Sequence, residues 1–304
     1  MGNWGTLLLP LNHDDSIDWV LLEEEVEIMA AAGVNGIYSN GTAGEFFNQT
    51  EDEFDRIQLI LAQTCERHGV AFQVGVSHMS PILSLERLKR IKALRPGAVQ
   101  VILPDWFPVS EPERVDFLKR MEEEAHPVGL VLYNPPHAKR VLSPKELETL
   151  HREVPNLVGI KVAGGDDRWY SAMKSLMTQI SVFVPGHFLA TGYSRGAAGS
   201  YSNVACLHPG GAQRWYEQMK ADLPAALDLE TRIQTFMSRF VAPYITEKSY
   251  MNGAVDKMLC VVGGWSGMTP RMRWPHRWIP EAEAPELRRR AAEWVPELLA
   301  YWYL

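Results

Sequence analysis

A lysine in an apolar stretch is the residue whose surroundings most clearly favour chemistry. Lys161 lies inside the segment Leu157 to Val162, whose apolar residues predict a buried β-strand. Burial disfavours the ammonium form of a lysine and favours the neutral amine, which attacks a carbonyl carbon to form a Schiff base. A lysine at a strand end also reaches solvent or pairs with a carboxylate, here Glu45 or Asp166. The lysine alone therefore leaves two interpretations open, a nucleophile and a structural ion pair.

Two further segments carry groups that suit such a reaction. Tyr133 ends the preceding predicted strand, so its phenol is expected beside Lys161 as a proton donor and acceptor, or as simple core packing. The turn Gly41 to Glu45 contains two glycines, which let backbone N–H groups approach a small anion such as a carboxylate, and Thr42 adds a hydroxyl. Tight turns also use these residues for backbone reasons alone.

Short apolar runs alternate with longer segments of helical period over the first two thirds of the chain. This alternation predicts βα units around a parallel sheet, and most runs are apolar enough for burial on both faces. The candidate strands are Trp4 to Leu9, Gly36 to Tyr38, Ala71 to Val76, Ala98 to Leu103, Val128 to Tyr133, Leu157 to Val162, Ser181 to Val184 and Ala197 to Ser200. Eight strands predict an α/β protein with a (β/α)8 TIM barrel, in which catalytic groups follow the strand ends. The alternative, an open doubly wound sheet, needs a phosphate-binding glycine turn after the first strand, where the chain has Pro10 to His13.

The domain organisation follows from the same pattern. Residues 1–208 are predicted to form the catalytic barrel. Residues 209–304 lack strand patterning and predict a helical extension packed on the barrel, with Ala284 to Tyr303 as its clearest helix. No linker rich in glycine, serine or proline separates the two parts.

Composition excludes several classes of partner. The 304 residues carry a net charge of -7, so the broad positive field that attracts nucleic acid is missing. No apolar run is long enough to span a membrane, and the N-terminal stretch lacks the features of a signal peptide. Cys65, Cys206 and Cys260 form no C-x-x-C pair, which favours a reducing, cytoplasmic location.

Three ordered motifs resemble a known family. Gly41-Thr42-Ala43-Gly44-Glu45 is similar to a G-T/S-T-G-E turn, Tyr133-Asn134-Pro135-Pro136 to Y-N-x-P, and Gly159-Ile160-Lys161 to G-I/V-K. In this order, and at the ends of the second, fifth and sixth strands, they resemble the dihydrodipicolinate synthase and N-acetylneuraminate lyase family of class I aldolases, which are (β/α)8 barrels. The likeness covers about the first 210 residues.

The resemblance implies a role for each matching residue. Lys161 would form an imine with pyruvate or another 2-oxo acid, and Tyr133 would shuttle protons. The turn residues Thr42 and Ala43, together with Gly41, would hold the substrate carboxylate. Later glycine turns would place Gly186 and Ser200 at the substrate. The resemblance also implies a homotetramer built from dimers, and neither a metal nor another cofactor.

The departures from the family pattern bear on the second substrate. Trp106 stands where a dihydrodipicolinate synthase has a tyrosine lent by the neighbouring subunit, and an indole cannot relay a hydroxyl proton. Ala138 stands where those enzymes have an arginine for the aldehyde's carboxylate, followed here by Lys139 and Arg140. Trp106, Phe107, His137, His187 and Phe188 suggest an aromatic acceptor pocket of low charge. We therefore expect an apolar or aromatic second substrate, or a dehydration, rather than lysine biosynthesis.

Two other functions stay open at this point. His78, His137 and His187 follow the third, fifth and seventh strands, and with Asp105 they are candidate Zn²⁺ ligands of a class II aldolase or a hydrolase. No two of them have H-x-H or H-E-x-x-H spacing. The third alternative is a non-catalytic protein that binds a 2-oxo acid without turnover.

Overall fold

Eight parallel strands close into a barrel in the computed structural model, which describes residues 1–299. Each strand pairs with the next, and the eighth pairs with the first. The strands are β1 (Gly2–Thr6), β2 (Gly36–Ser39), β3 (Phe72–Gly75), β4 (Ala98–Ile102), β5 (Gly129–Tyr133), β6 (Leu157–Lys161), β7 (Ser181–Pro185) and β8 (Gly199–Tyr201). The predicted TIM barrel is confirmed.

Strand boundaries differ from the prediction by a few residues, most of all in β1. The apolar run predicted a strand from Trp4 to Leu9, whereas β1 ends at Thr6. Leu7, Leu8 and Leu9 are buried in the core after the strand has ended. A buried apolar loop and a buried strand have the same hydropathy, so the sequence pattern could not separate them.

Fourteen α-helices are described within residues 1–299. The first eight are α1 (Trp19–Ala31), α2 (Glu51–His68), α3 (Pro81–Ile91), α4 (Glu111–Ala125), α5 (Pro144–Glu153), α6 (Asp167–Met177), α7 (Leu189–Ser194) and α8 (Asn203–Leu207). The others are α9 (Pro209–Ala221), α10 (Leu223–Phe236), α11 (Ala242–Thr246), α12 (Asn252–Gly263), α13 (Ala284–Trp294) and α14 (Pro296–Leu299). Local sequence fixes several starts: Thr50 and Ser143 form capping boxes, and Pro81 follows the N-cap Ser80. No helix in this part of the chain has both the length and the apolar character needed to cross a membrane.

The described C-terminal region is helical, as predicted, but its last helix is interrupted. Val295 leaves the helical conformation and Pro296 starts a new helix, so α13 and α14 replace the single predicted helix from Ala284 to Tyr303. The end of that prediction, residues 300–304, lies outside the described residues. The boundary at residue 208 stays a prediction. Directly after it, α9 packs on β1, where the Asn3 amide donates to Gln213 at 3.3 Å.

Aromatic side chains fill the inside of the barrel. The residues of this inner cluster are Trp4, Tyr38, Ala98, Val131, Phe183 and Tyr201. The rings of Tyr38 and Tyr201 lie edge to face with centroids 4.4 Å apart, and those of Trp4 and Phe183 are 6.5 Å apart. Two members of this cluster, Tyr38 and Tyr201, also line the cavity described below.

Candidate active site

Lys161 is the last residue of β6, and its amine lies among three tyrosine rings. Its Nζ donates to the Tyr38 hydroxyl at 2.9 Å. The same nitrogen is 4.2 Å from the centroid of the Tyr133 ring and 5.2 Å from that of Tyr201. Burial lowers the pKa of the Lys161 amine to about 8, while the carboxylate of Asp256 acts in the opposite direction. A substantial fraction of the amine is therefore neutral near pH 8.

The carboxylates that could have paired with Lys161 are engaged elsewhere. Glu45 accepts from the Lys257 amine at 2.6 Å, and both side chains are fully buried. Asp166 is the N-cap of α6 and accepts from the backbone N–H of Trp169 at 2.9 Å. Within residues 1–299, Lys161 has no carboxylate in ion-pair contact. This geometry favours the nucleophile over the structural ion pair.

A cavity of about 770 Å³ contains the lysine, and we call it the lysine cavity. Polar residues of its lining are Thr6, Tyr38, Tyr133, Lys161, His187, Tyr201, Asn203, Thr231, Gln234, Thr235, Ser238, Asn252 and Asp256. The strands supply one wall, and α10, α12 and the π-helical turn Met237–Val241 supply the other. The C-terminal helices therefore belong to the site.

Asp256 is a carboxyl group in the lysine cavity that the sequence analysis missed. It lies on α12, and burial raises its pKa to about 7 although the Lys161 ammonium opposes that shift. Its sequence context is an unremarkable helix, so no motif marks it. Tyr38 was also missed, but a signal existed: like Tyr133, it is a tyrosine near the carboxyl end of a barrel strand.

The predicted carboxylate-holding turn lies beside Tyr133. Burial raises the pKa of the Tyr133 phenol to about 12, and a hydrogen bond with Thr42 opposes the shift. Thr42 opens the 3-10 turn Thr42–Gly44, in which Ala43 is buried. A Cβ atom on Gly41 would lie 2.7 Å from the Tyr38 ring, so the turn needs a glycine there to approach this tyrosine. The structure thus brings together Thr42, Tyr133 and Lys161.

A buried ion pair fixes the position of that turn. Glu45 has a left-handed backbone conformation with φ of 51°. Its second carboxylate oxygen accepts from the backbone N–H of Arg273 at 3.0 Å, and Lys257 also donates to the Arg271 carbonyl at 2.6 Å. The turn is therefore tied to α12 and to the segment that follows it.

A second cavity of about 630 Å³ adjoins the first, and we call it the aromatic cavity. Both cavities are lined by Tyr133, Pro136, Ile245 and Asn252. Other residues of the aromatic cavity are Thr42, Phe46, Phe47, Met79, Ile102, Leu103, Pro104, Asp105, Pro108, Val109, Arg114, Leu132, Asn134, Pro135, His137, Ala138, Arg140, Tyr250, Met251 and His276. Most of this surface is apolar.

Five predicted substrate-binding residues do not line either cavity: Gly41 and Ala43 of the turn, and Gly186, Ser200 and Trp106. Ser200 is fully buried in β8, where its hydroxyl finds no partner among residues 1–299. Gly186 opens the 3-10 turn Gly186–Phe188, and a Cβ atom there would lie 2.5 Å from the Ser202 hydroxyl, so its small size serves packing. Trp106 is 78% exposed, and its backbone carbonyl accepts from the Lys139 amine at 2.6 Å.

The three histidines lie apart, and two of them have other partners. His78 accepts from the backbone N–H of Ser80 at 2.9 Å, and His187 contacts the Asn203 amide. His137 lines the aromatic cavity, and His187 lines the lysine cavity. Burial lowers the pKa of all three imidazoles. Among residues 1–299, no group of three or more His, Cys, Asp and Glu is arranged to hold a metal ion.

Comparison with known proteins places this geometry in a family. The model of the dihydrodipicolinate synthetase family matches residues 1–269. The chain belongs to this family. The resemblance seen in the three motifs is thereby confirmed, and it extends beyond the first 210 residues into the C-terminal helices.

Named relatives of this family member are lyases and dehydratases. An uncharacterized DapA-like lyase of Thermococcus onnurineus is 28% identical over 157 residues, which are 51% of this chain and 52% of that protein. A probable 5-dehydro-4-deoxyglucarate dehydratase of Methylobacterium radiotolerans is 26% identical over 295 residues, 93% of this chain and 92% of that protein. These relatives confirm the predicted enzyme class, a lyase of the aldolase and dehydratase type.

Solved structures of the family have the same fold. The E. coli K12 prophage protein YagE, crystallised in complex with pyruvate, superposes with a TM-score of 0.85 at 18% sequence identity, over 96% of this chain and 97% of that one. At this identity the likeness supports the barrel with its C-terminal helices.

Proposed function

We propose that this family member is a lyase that binds pyruvate or another 2-oxo acid as a Schiff base on Lys161. One observation carries the proposal: the Lys161 amine has a pKa of about 8 and opens into a cavity without a carboxylate in contact with it. A neutral amine in such a position is the nucleophile that a carbonyl substrate requires. The pyruvate complex of YagE agrees with this substrate class.

The residues around Lys161 support the proposal. The Thr42 hydroxyl and the backbone N–H groups of the Thr42–Gly44 turn would bind the substrate carboxylate beside Tyr133. The carbonyl carbon would then face the Lys161 amine, and the Tyr133 phenol would exchange protons with the substrate oxygen. The resulting iminium withdraws electrons, so that a neighbouring carbon–carbon or carbon–oxygen bond can break.

The aromatic cavity favours an apolar or aromatic distal group on the substrate. Its charged side chains already have protein partners: Asp105 accepts from the backbone of Lys139, and Arg114 and Arg140 both contact Glu146. A second substrate carboxylate would have to compete with Glu146 for these arginines. This setting suits an uncharged aldehyde, or an apolar product of dehydration, better than a dicarboxylate such as the sugar diacid named for the Methylobacterium relative.

The test is trapping of the imine. The protein is incubated with pyruvate, reduced with borohydride and weighed, and the adduct is mapped by peptide mass spectrometry. We expect one adduct on Lys161 that withstands a chelator. Lys161→Arg, which keeps a positive charge but cannot form the imine, is the matched control and should give none. Absence of an adduct with a panel of 2-oxo acids would contradict the proposal.

Assembly and location are proposed on the resemblance. We propose a homotetramer in which the exposed Trp106 and Phe107 lie at a contact between subunits. The cytoplasmic location stays a prediction.

A further inference from the structure

Asp256 is a buried acid that the proposed chemistry has not yet used. Among the described residues that line the lysine cavity, it carries the single carboxylate and Lys161 the single amine. Within residues 1–299, no hydrogen bond or ion pair engages the Asp256 carboxylate. It is the fifth residue of α12, so it does not cap that helix. An acid at such a position contributes nothing evident to the fold.

Lys257, the next residue on α12, differs from Asp256 because its charge has protein partners. Lys257 is fully buried and bonds both the Glu45 carboxylate and the Arg271 carbonyl. Asp256 points instead to the cavity, where it interacts electrostatically with Lys161 without contacting it. The acid and the amine therefore border the same open space, which has room for a small substrate.

The groups that face Asp256 come from four other elements. They are the amine of Lys161 on β6, the phenols of Tyr38 on β2 and Tyr133 on β5, and the thiol of Cys206 on α8. Burial raises the pKa of both phenols and of the thiol, so near neutral pH these three stay protonated. Among these groups, Asp256 and Lys161 are the two whose pKa values lie near neutral pH. His187 also lines the cavity, and burial lowers the pKa of its imidazole.

We propose that Asp256 is a further catalytic residue, the acid–base group that moves protons between Lys161 and the substrate oxygen while the imine forms. The Asp256 carboxylate first takes a proton from the Lys161 ammonium, relayed by a water molecule in the cavity because the two groups are not in contact. The neutral amine adds to the substrate carbonyl, and a proton passes from nitrogen to the former carbonyl oxygen. Protonated Asp256 then donates to that hydroxyl, the carbon–oxygen bond breaks, water leaves, and the iminium and the carboxylate remain. This step rests on the proposed function, and it assigns to Asp256 protons that Tyr133 alone would otherwise carry.

The experiment measures the rate of imine formation with pyruvate, trapped by excess cyanoborohydride, from pH 6 to pH 10. Asp256→Asn keeps the shape and removes the acid, Asp256→Glu restores it, and Asp228→Asn makes the same chemical change on the outside of α10. We expect Asp256→Asn to lower the maximal rate about a hundredfold, a typical acid–base contribution, with partial recovery in Asp256→Glu. Asp228→Asn should match the unaltered protein. Thermal unfolding of each variant confirms that it is folded.

The possible outcomes distinguish an acid–base role of Asp256 from a purely electrostatic one, and both from failure of the proposed function. If Asp256 only modulated the charge of Lys161, Asp256→Asn would shift the pH profile towards lower pH and keep the maximal rate, which would overturn the acid–base role. Equal rates in Asp256→Asn and the unaltered protein at all pH values would overturn it too. If the unaltered protein itself forms no adduct, the proposed function fails, and with it this role. If Asp256→Asn is unfolded, a reduced rate in folded Asp256→Ser, with recovery by added formate, supports the role, and an undiminished rate overturns it.

Discussion

The Lys161 amine donates a hydrogen bond to the Tyr38 hydroxyl and otherwise faces aromatic rings. Aromatic rings stabilise a cation only partly, and they do not replace the water that burial removes. The amine is therefore held near the balance between its two protonation states rather than locked as an ammonium.

This balance predicts how imine formation depends on pH. The pKa of about 8 lies below the ordinary value of 10.5, so the neutral nucleophile becomes available as the pH rises through about 8. Near pH 7 about one amine in ten would be neutral, against fewer than one in a thousand for an ordinary lysine. The rate of cyanoborohydride trapping with pyruvate should rise from about pH 6 to a maximum between about pH 7 and pH 8, and then fall as the coupled pair of Lys161 and Asp256 loses the proton that the acid step needs.

Free Nα-acetyl-lysine, measured in parallel, is the control for this profile. Its amine has an ordinary pKa of about 10.4, so its rate should still rise above pH 9. A protein profile that follows the free amino acid would show that the Lys161 pKa is not lowered.

Among the described elements, α12 has the largest part in positioning the reactive groups. α12 binds the Thr42–Gly44 turn from one side through the Lys257–Glu45 ion pair and lines the lysine cavity on another. A Cβ atom on Gly263, the last residue of α12, would lie 1.7 Å from the Leu207 carbonyl oxygen of α8, so the two helices are in very close contact there. Stability and site geometry are therefore coupled in this helix.

We predict that breaking the buried ion pair from one side is costly. Glu45→Gln or Lys257→Met should each lower the free energy of unfolding by about 3–5 kcal/mol, because the remaining charge stays buried without its partner. The double variant should lose clearly less than the sum of the two. Denaturant unfolding measures this. Glu153→Gln, which removes half of the exposed Lys119–Glu153 pair, is the control and should cost less than about 1 kcal/mol. Additive losses would show that the two groups are not coupled.

Some elements and residues could be predicted from the sequence, and others could not, for physical reasons. The strands could be recognised because burial on both faces makes each one an apolar run, and the lysine in β6 interrupts such a run visibly. Asp256 interrupts nothing, because a helix alternates polar and apolar residues anyway. Which side of α12 faces the cavity depends on packing against α8 and the Thr42–Gly44 turn, and no local pattern records that packing.

At the scale of the whole molecule, the exposed aromatic residues of the β4–α4 loop are the feature that supports the proposed assembly. Trp106 and Phe107 are 78% and 84% exposed, next to each other in sequence. Large apolar side chains grouped on a surface are typical of contacts between subunits. The net charge of -7 is a smaller influence, since it offers no attraction to an anionic substrate and leaves capture to local groups.

We predict that this loop is needed for assembly. Sedimentation equilibrium of the full chain should give four times the chain mass of 34.3 kDa, and replacing Trp106 and Phe107 by serine should yield smaller species. Val20→Ser, which removes a 70% exposed apolar group from α1, should leave the mass unchanged. A monomer at micromolar concentration would contradict the tetramer.

The two-sided attachment of α12 limits how this enzyme can be re-engineered. A designer seeking a minimal catalyst would be tempted to end the gene after β8 and keep the lysine, the tyrosine and the glycine turn. Such a truncated barrel would lose the partner of Glu45 and the acid opposite Lys161 at once. Swapping C-terminal helices between relatives would carry the same risk. In chimeras and truncated variants, the strand ends and α12 should therefore be taken together from the same parent protein.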